Sequence, residues 1–147
     1  MPETIPIGSD HAGFQLKERL KEELHRLGYA VEDVGTDSDS SVDYPDFAHV
    51  VASRVEEGKA TRGVLLCGTG LGMSYAANRH RGVRAAVAWS PEVARLAREH
   101  NDANVLVLPA RFLNEDDGVA ILRTWLETPF EGGRHHRRVT KIEPESA

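Results

Sequence analysis

At the centre of the chain stands the sequence Val64-Leu65-Leu66-Cys67-Gly68-Thr69-Gly70-Leu71-Gly72-Met73-Ser74. Its unbroken apolar run over 64–66 is typical of a strand that is buried on both faces of a sheet. The glycines that follow allow backbone N–H groups to approach a ligand closely, and a helix-like segment comes next over 75–78. The stretch therefore predicts a strand, an anion-binding turn and a helix, with Cys67 where the strand meets the turn.

The alternation of strands and helices continues on both sides of this stretch. Apolar runs predict further strands over 4–8, 29–34, 83–88 and 105–108, and helical spacing or capping signals predict helices over 16–27, 45–57, 91–99 and 114–126. This pattern indicates a single-domain α/β fold, a doubly wound (Rossmann-like) parallel sheet of five strands with helices on both faces. The expected strand order is 2-1-3-4-5, which places the loops after strands 1 and 3 across one crevice.

The length and composition limit the classes of protein to consider. The 147 residues suit one domain, with residues 1–128 forming the α/β unit and residues 129–147 a basic tail with a short helix that can reach a partner subunit. A net charge of -5 gives no reason to expect nucleic-acid binding, and no apolar run approaches the roughly 18 residues that span a membrane. The single cysteine excludes an internal disulfide, which fits a cytoplasmic location.

The glycine loop over 68–72 matches neither common phosphate-binding motif. The dinucleotide fingerprint requires glycine at position 73 or 75, where this chain has Met73 and Tyr75, and no Gly-Lys-Ser/Thr of a P-loop follows. The loop could be a tight turn only. Cys67 is also open to two interpretations, an inert buried thiol or a reactive one whose pKa is lowered by the loop and the helix start.

Two polar segments elsewhere offer candidate catalytic groups. Asp10 and His11 follow the first strand, so both can face the crevice, although Asp10 can also simply cap a helix. His100, Asn101 and Asp102 lie between a helix end and a buried strand, where a histidine can act as a general acid or base.

The tail carries a basic cluster on an otherwise acidic chain: Arg134, His135, His136, Arg137 and Arg138. Guanidinium groups pair bidentately with phosphate, which favours an anionic ligand, and the alternative is a solvated tail. The lone cysteine and the scattered histidines show no ligand spacing, so no metal site is expected.

Seven motifs occur in order along nearly the whole chain: Ser9-Asp10-His11-Ala12-Gly13-Phe14, Asp43-Tyr44-Pro45, Cys67-Gly68-Thr69-Gly70-Leu71-Gly72, Ala76-Ala77-Asn78, Gly82-Val83-Arg84-Ala85, His100-Asn101-Asp102-Ala103-Asn104-Val105 and Glu131-Gly132-Gly133-Arg134-His135. Together they resemble the type B ribose-5-phosphate isomerase family, which also contains the galactose-6-phosphate isomerase subunits. The set is specific, although no single motif would suffice.

The resemblance implies an aldose–ketose isomerase that needs neither metal nor cofactor. It would interconvert ribose 5-phosphate and ribulose 5-phosphate through a cis-enediolate, in the non-oxidative pentose phosphate pathway. A hexose 6-phosphate of the galactose or allose type is the alternative substrate. The resemblance also implies a homodimer, or a tetramer of two such dimers, with active sites between two subunits.

The same resemblance assigns roles to residues. Cys67 would be the base that moves a proton between C1 and C2, and His100 the proton donor for ring opening, with Thr69 and Asp10 nearby. One branch of the family carries its base as a glutamate at the position of Met73, which cannot accept a proton, so the role falls to Cys67. The resemblance also assigns substrate binding to Asp10. The other substrate-binding positions are Gly68, Thr69, Gly70, Leu71 and Gly72 for the enediolate, His11, Arg111, Arg134 and Arg138 for the phosphate, and Asn101 and Tyr44 for the sugar.

Two other classes compete with the isomerase. A cysteine hydrolase would use Cys67 as nucleophile with His100 and Asp10 as its partners, but it leaves the arginine cluster unexplained. A non-catalytic nucleotide- or ligand-binding module of the same fold would bind equally well without the thiol.

Overall fold

The computed structural model describes residues 2–145, so Met1 and the last two residues of the predicted tail lie outside the described part of the chain. Five strands alternate with helices, as the sequence predicts. The strands are β1 (Thr4–Ser9), β2 (Ala30–Gly35), β3 (Gly63–Cys67), β4 (Ala85–Val87) and β5 (Val105–Pro109), and the helices are α1 (Phe14–Arg26), α2 (Tyr44–Glu56), α3 (Leu71–Ala77), α4 (Pro91–Asn101), α5 (Glu115–Glu127) and α6 (Arg134–Thr140). None of these helices is long and apolar enough to cross a bilayer.

The sheet is parallel throughout, but its order is β2-β1-β3-β5-β4. The predicted order 2-1-3-4-5 is therefore wrong for the last two strands. Every residue of β5 is buried, whereas β4 has three residues, all half-buried, in place of the six predicted over 83–88. A strand with neighbours on both sides needs apolar cover on both faces, so β5 takes the inner position and the short β4 the edge.

The sheet separates two apolar layers. Val64 and Leu66 face the layer that contains the fully buried Trp125, and Leu65 and Cys67 face the layer with Met73. This alternation follows from the strand period of two residues. The helices consequently cover both faces of the sheet, as predicted, and the Cys67 side chain points into the layer formed by α2 and α3.

The loops after β1 and β3 meet at the carboxyl edge of the sheet, as the predicted crevice requires. β1 and β3 are neighbours, and the Asp10 N–H donates to the Leu66 carbonyl at 3.2 Å. A Cβ on Gly13 would lie 2.7 Å from Leu66 Cβ, so only glycine allows the turn to pack this closely on β3.

The chain after α5 lies against the opposite, amino edge. α4 runs back from the carboxyl edge, so its last turn is near the start of β5. The Glu131 N–H donates to the Glu99 carbonyl at 3.1 Å, and Gly82 N–H donates to Glu143 Oε1 at 2.8 Å. The predicted short helix of the tail is α6, which packs against α4.

A buried ion pair joins α1 to β2. Lys17 is fully buried, and its Nζ lies 2.7 Å from Asp33 Oδ1 and 3.6 Å from the more exposed Glu18. Burial raises the pKa of Asp33, but hydrogen bonds from Lys17, Lys21 and the Gly35 N–H outweigh it and hold that pKa below its ordinary value. The pair therefore stabilises the fold at neutral pH and loses that contribution as pH falls through the lowered pKa of the folded state.

We expect Asp33→Asn to lower the free energy of unfolding by about 2 kcal/mol at pH 7, because it leaves the Lys17 charge buried and poorly paired. Urea denaturation measures this difference, which should begin to shrink below the ordinary aspartate pKa of about 4 and vanish as the pH falls through the lowered pKa of Asp33 in the folded protein. Glu18→Gln is the matched control and should cost less than about 1 kcal/mol. Equal effects of the two variants would contradict the assignment.

Candidate active site

Cys67 ends β3 as a free, buried thiol that is 5% exposed. Burial raises the pKa of this thiol, Asp10 adds to the rise, and the backbone N–H groups of Met73, Gly70 and Thr69 oppose it by hydrogen bonding to the sulfur. The net pKa lies above that of an ordinary cysteine, so the predicted lowering is wrong. The cause is burial. Side chains alternate between the two faces of a strand, and this alternation directs the Cys67 side chain into the apolar α2–α3 layer, away from water.

The glycines of the loop over 68–72 let two side chains approach it closely. A Cβ on Gly68 would lie 3.1 Å from the Arg111 guanidinium carbon, and a Cβ on Gly72 would clash with the Tyr44 ring. The Arg111 N–H also donates to the Gly68 carbonyl at 3.0 Å. Two predicted substrate-binding side chains therefore lie against the backbone of this loop.

The remaining loop residues have exposed side chains and a constrained backbone. Gly70 has φ of 78°, which favours glycine, and the Leu71 N–H donates to Thr69 Oγ1 at 3.2 Å. Thr69 and Leu71 are exposed to solvent beside the buried thiol.

Asp10 caps the short helical turn over 11–13 that follows β1, which confirms the interpretation of Asp10 as a capping residue. Its Oδ1 accepts from the Ala12 and Gly13 N–H groups at 3.0 and 3.1 Å. The same carboxylate is close enough to Cys67 to raise the pKa of the thiol, so the cap also belongs to the site. His11 Nδ1 accepts from the Val42 N–H at 3.2 Å, which assigns the ring proton to Nε2 and leaves that nitrogen as a donor.

His100 and Asn101 are the last two residues of α4, at the amino edge. Arg134 and Arg138 lie one turn apart on α6, both exposed, near the same edge. Asn101 also lines a cavity of about 300 Å³ beside β4, whose other lining residues are Asn78, Arg84, Ala85, Ala86, Ala103 and Ile142.

The predicted site residues therefore fall into two groups at opposite ends of the sheet. The carboxyl-edge group consists of Asp10, His11, Tyr44, Cys67, Gly68, Thr69, Gly70, Leu71, Gly72 and Arg111, and the amino-edge group consists of His100, Asn101, Arg134 and Arg138. The length of β3 alone separates the two edges by roughly 13 Å, at about 3.3 Å per residue. Within one chain, the structure does not bring His100 to Thr69 and Asp10.

Two further residues, His135 and Glu131, lie beside the amino-edge group, and no sequence pattern assigned a role to either of them. The His135 ring stacks on the His100 ring, with centroids 4.3 Å apart and planes 13° from parallel, and His135 Nε2 lies 3.5 Å from Glu131 Oε2. Burial lowers the pKa of His135, and the charges of His100 and Arg134 act in the same direction. Glu131 precedes α6, and Gly132 and Gly133 between the two residues have positive φ, so no helical spacing in the sequence could have marked this pair.

Large apolar side chains surround the carboxyl-edge group. Leu71 and Tyr75 project from α3, Trp89 follows β4 and is 62% exposed, and Phe112 follows β5 and is 72% exposed. Single exposed apolar residues are common, but several around one loop are typical of a surface that another protein covers.

We expect the thiolate absorbance of the native chain to titrate with a pKa above the ordinary cysteine value of about 8.5, since burial disfavours the ionised sulfur. Asp10→Asn keeps the capping oxygen and removes the charge, so it should shift this titration to lower pH. Titration of the unfolded chain is the control. A native titration at or below the unfolded one would contradict the account of the Cys67 environment.

Comparison with known proteins gives one consistent result. Residues 5–142 match the family model described as Ribose/Galactose Isomerase. The ribose-5-phosphate isomerase B of Escherichia coli is 44% identical over 138 residues, which cover 94% of this chain and 93% of that protein.

Solved structures agree with this match. The ribose 5-phosphate isomerase of Thermotoga maritima superposes with a TM-score of 0.93 at 55% identity, covering 95% of this chain and 97% of that one. The ribose-5-phosphate isomerase B of Mycoplasma genitalium, solved with bound ribulose-5-phosphate, superposes with a TM-score of 0.92 at 44% identity, covering 97% and 95%. With a family match across nearly all of its length and close relatives in both sequence and structure, this chain belongs to the ribose/galactose isomerase family.

Proposed function

We propose that the protein interconverts ribose 5-phosphate and ribulose 5-phosphate, with Cys67 as the base that moves the proton. The observation that carries the proposal is the Cys67 thiol, which faces the backbone N–H groups of Thr69, Gly70 and Met73 at the end of the central strand. The names of the Escherichia coli and Mycoplasma genitalium relatives, and the ribulose-5-phosphate bound to the latter, support this substrate pair. The single cysteine is compatible with the cytoplasm, where we place the reaction.

The chemistry requires a base beside groups that stabilise an oxyanion. A proton on carbon next to a carbonyl is weakly acidic, and its removal leaves negative charge on the enediolate oxygens. The loop over 68–72 offers backbone N–H groups for that charge. The thiolate form of Cys67 is the base, and it is intrinsically strong because burial raises the pKa of the thiol. The side chain of Met73 is fully buried and has no basic atom, so it offers no alternative.

The separation of the two groups supports a site built from two chains. His100 can approach Cys67 only if the amino-edge group of a second copy lies over the carboxyl edge of the first. The exposed Leu71, Tyr75, Trp89 and Phe112 around that edge favour such a contact. We therefore propose a homodimer with two equivalent sites, since a two-fold contact presents the same two surfaces twice.

In this arrangement each site receives a different set of residues from each of the two copies. The first copy supplies the thiol, the loop and two phosphate donors, His11 Nε2–H and Arg111. The second copy supplies His100 as the proton donor for ring opening, Asn101 toward the sugar, and the exposed Arg134 and Arg138, which are one turn apart and can grip a phosphate bidentately. These cationic groups would also favour the thiolate, so they would reduce, without reversing, the rise in the Cys67 pKa.

The hydrolase alternative leaves Arg111, Arg134 and Arg138 without a role. Its residues Cys67, His100 and Asp10 lie on opposite edges of the sheet within one chain, so it would need the same second copy. The family description includes galactose as well as ribose, so a hexose 6-phosphate is the second substrate to test.

The first test is turnover of ribose 5-phosphate in the presence of a chelator. We expect activity in the parent chain and a loss of about 10²–10⁴-fold in kcat for Cys67→Ala, the range of a general base. Unfolding of the variant is measured in parallel, because alanine leaves a small cavity in the α2–α3 layer. Equal turnover by parent and variant would place the base elsewhere, and turnover of galactose 6-phosphate alone would favour the hexose substrate.

The second test is subunit complementation. Cys67→Ala and His100→Ala chains with different affinity tags are co-expressed, and the mixed dimer is isolated. One of its two sites then combines an intact thiol with an intact His100, so we expect about half of the parental kcat per dimer. Each homodimer alone should be almost inactive.

The matched control is a mixed dimer of Cys67→Ala with Arg111→Ala. Both substitutions lie in the carboxyl-edge group, so every site of this dimer carries a defect and no recovery is expected. A Cys67→Ala/His100→Ala dimer as inactive as this control would contradict the shared site.

A further inference from the structure

Three side chains of metal-binding type meet at the amino edge. His100, Glu131 and His135 each offer one ligand atom, and these atoms all lie within 4.8 Å of one another. Two ligands of a tetrahedral Zn²⁺ ion, with bonds of about 2.1 Å, are about 3.4 Å apart. The distance of 3.5 Å between His135 Nε2 and Glu131 Oε2 is close to this value.

His135 Nε2 has no hydrogen-bond partner among residues 2–145, although His135 is only 5% exposed. The Glu131 carboxylate is too distant for a good hydrogen bond. If this nitrogen carries the proton it lacks an acceptor, and if it carries the lone pair it lacks a donor. A buried polar atom without a partner is costly and needs an explanation, and an ion between His135 and Glu131 would supply one.

Backbone hydrogen bonds hold Glu131 and His135 in place, and the His135 N–H donates to the Gly132 carbonyl at 3.1 Å. The Glu131 N–H donates to the Glu99 carbonyl at 3.1 Å, which ties the segment before α6 to the last turn of α4. His100 is the adjustable member of the group. Its ring is nearly parallel to that of His135, so the in-plane lone pairs of the two rings do not converge, and His100 must turn about its side-chain bonds to join them.

We propose that His100, Glu131 and His135 form a binding site for one divalent transition-metal ion of the Zn²⁺ class. Two imidazoles and one carboxylate suit Zn²⁺, Co²⁺, Ni²⁺ or Cu²⁺, whereas Mg²⁺ and Ca²⁺ prefer oxygen ligands. Three protein ligands leave a fourth position for water. Arg134 and Arg138 oppose a cation, but both are exposed to solvent, which screens their charges.

Occupation of the site has a consequence for catalysis that rests on the proposed function. A metal ion takes the lone pair of His100 and turns its ring toward His135. His100 then cannot act as the proton donor for ring opening, so the bound ion inhibits the isomerase. The activity of the metal-free protein and its inhibition by metal would thus both depend on His100.

Two other places in the chain could hold a thiophilic or imidazole-binding ion and must be separated from this one. The first is the Cys67 thiol. The second is the pair of His49 and His80, in which His49 Nδ1 lies 2.7 Å from His80 Nε2. The other ring nitrogen, His80 Nδ1, is hydrogen-bonded to Glu56 Oε1 at 3.0 Å. These two places supply the control variants.

The experiment measures metal affinity directly in the full-length, chelator-treated protein. Zn²⁺ affinity is measured by competition with a chromophoric chelator, and Co²⁺ serves as a visible-absorbance probe of tetrahedral coordination. We expect Glu131→Gln and His135→Gln each to weaken binding more than tenfold, since outer-sphere partners alone are worth about 10–100-fold. Glu131 is exposed, so its variant tests the site even if the buried His135→Gln unfolds.

Cys67→Ser, His80→Gln and His136→Gln are the controls and should bind as the parent does. Unchanged affinity in Glu131→Gln overturns the site, and so does a loss of binding in Cys67→Ser or His80→Gln. His136 is exposed on the same helix as His135. The His136→Gln variant therefore shows whether loss of any histidine from α6 changes the Zn²⁺ affinity.

Turnover of ribose 5-phosphate during a Zn²⁺ titration tests the inhibition separately. We expect inhibition of the parent that a chelator reverses, and at least a tenfold higher inhibitory concentration for Glu131→Gln. Binding without inhibition overturns the catalytic consequence. Absence of turnover in the metal-free parent would overturn the proposed function instead, and the affinities would still decide whether the metal site exists.

Discussion

The burial of β3 on both faces is the constraint on which the site depends. No residue of β3 is exposed, because β1 and β5 pair with it on either side and apolar layers cover it above and below. The strand period then directs Cys67 into one of those layers. The apolar surroundings raise the pKa of the thiol, while the loop that follows turns its N–H groups back toward the sulfur. A buried thiol and a turn that directs backbone N–H groups toward it thus come from the same strand end.

The parallel sheet also explains why the predicted site residues of one chain fall into two groups. In a sheet of this kind each helix returns the chain from the carboxyl edge to the amino edge. α4 therefore begins beside the loops that surround Cys67 and carries His100 away from them. The tail after α5 joins His100 at the amino edge. A second copy would reunite the two groups, and the apolar rim formed by Leu71, Tyr75, Trp89 and Phe112 offers a surface for that contact.

At the amino edge, a stacked histidine pair, a carboxylate and two exposed arginines lie close together. His135 is the one buried member of the basic cluster, and it stacks on the histidine proposed as the proton donor. The exposed arginines beside it suit a phosphate, whereas the pair of histidines with Glu131 suits a metal ion. The two ligands make opposite demands on His100, which must be free for proton transfer in one case and coordinated in the other.

The sequence by itself determined the alternation of strands and helices, the central strand, the glycine loop and the crevice between the first and third loops. These features rest on local patterns, namely apolar runs, capping residues and glycine positions. Only the tertiary structure decided that β5 takes the inner position in the sheet and β4 the edge position. The position of a strand depends on how well the layers on both faces of the sheet cover it. It also decided the direction of the Cys67 pKa shift, the distance between Cys67 and His100, and the meeting of His100, Glu131 and His135. Each of these depends on burial or on contacts between segments distant in sequence, which no local pattern encodes.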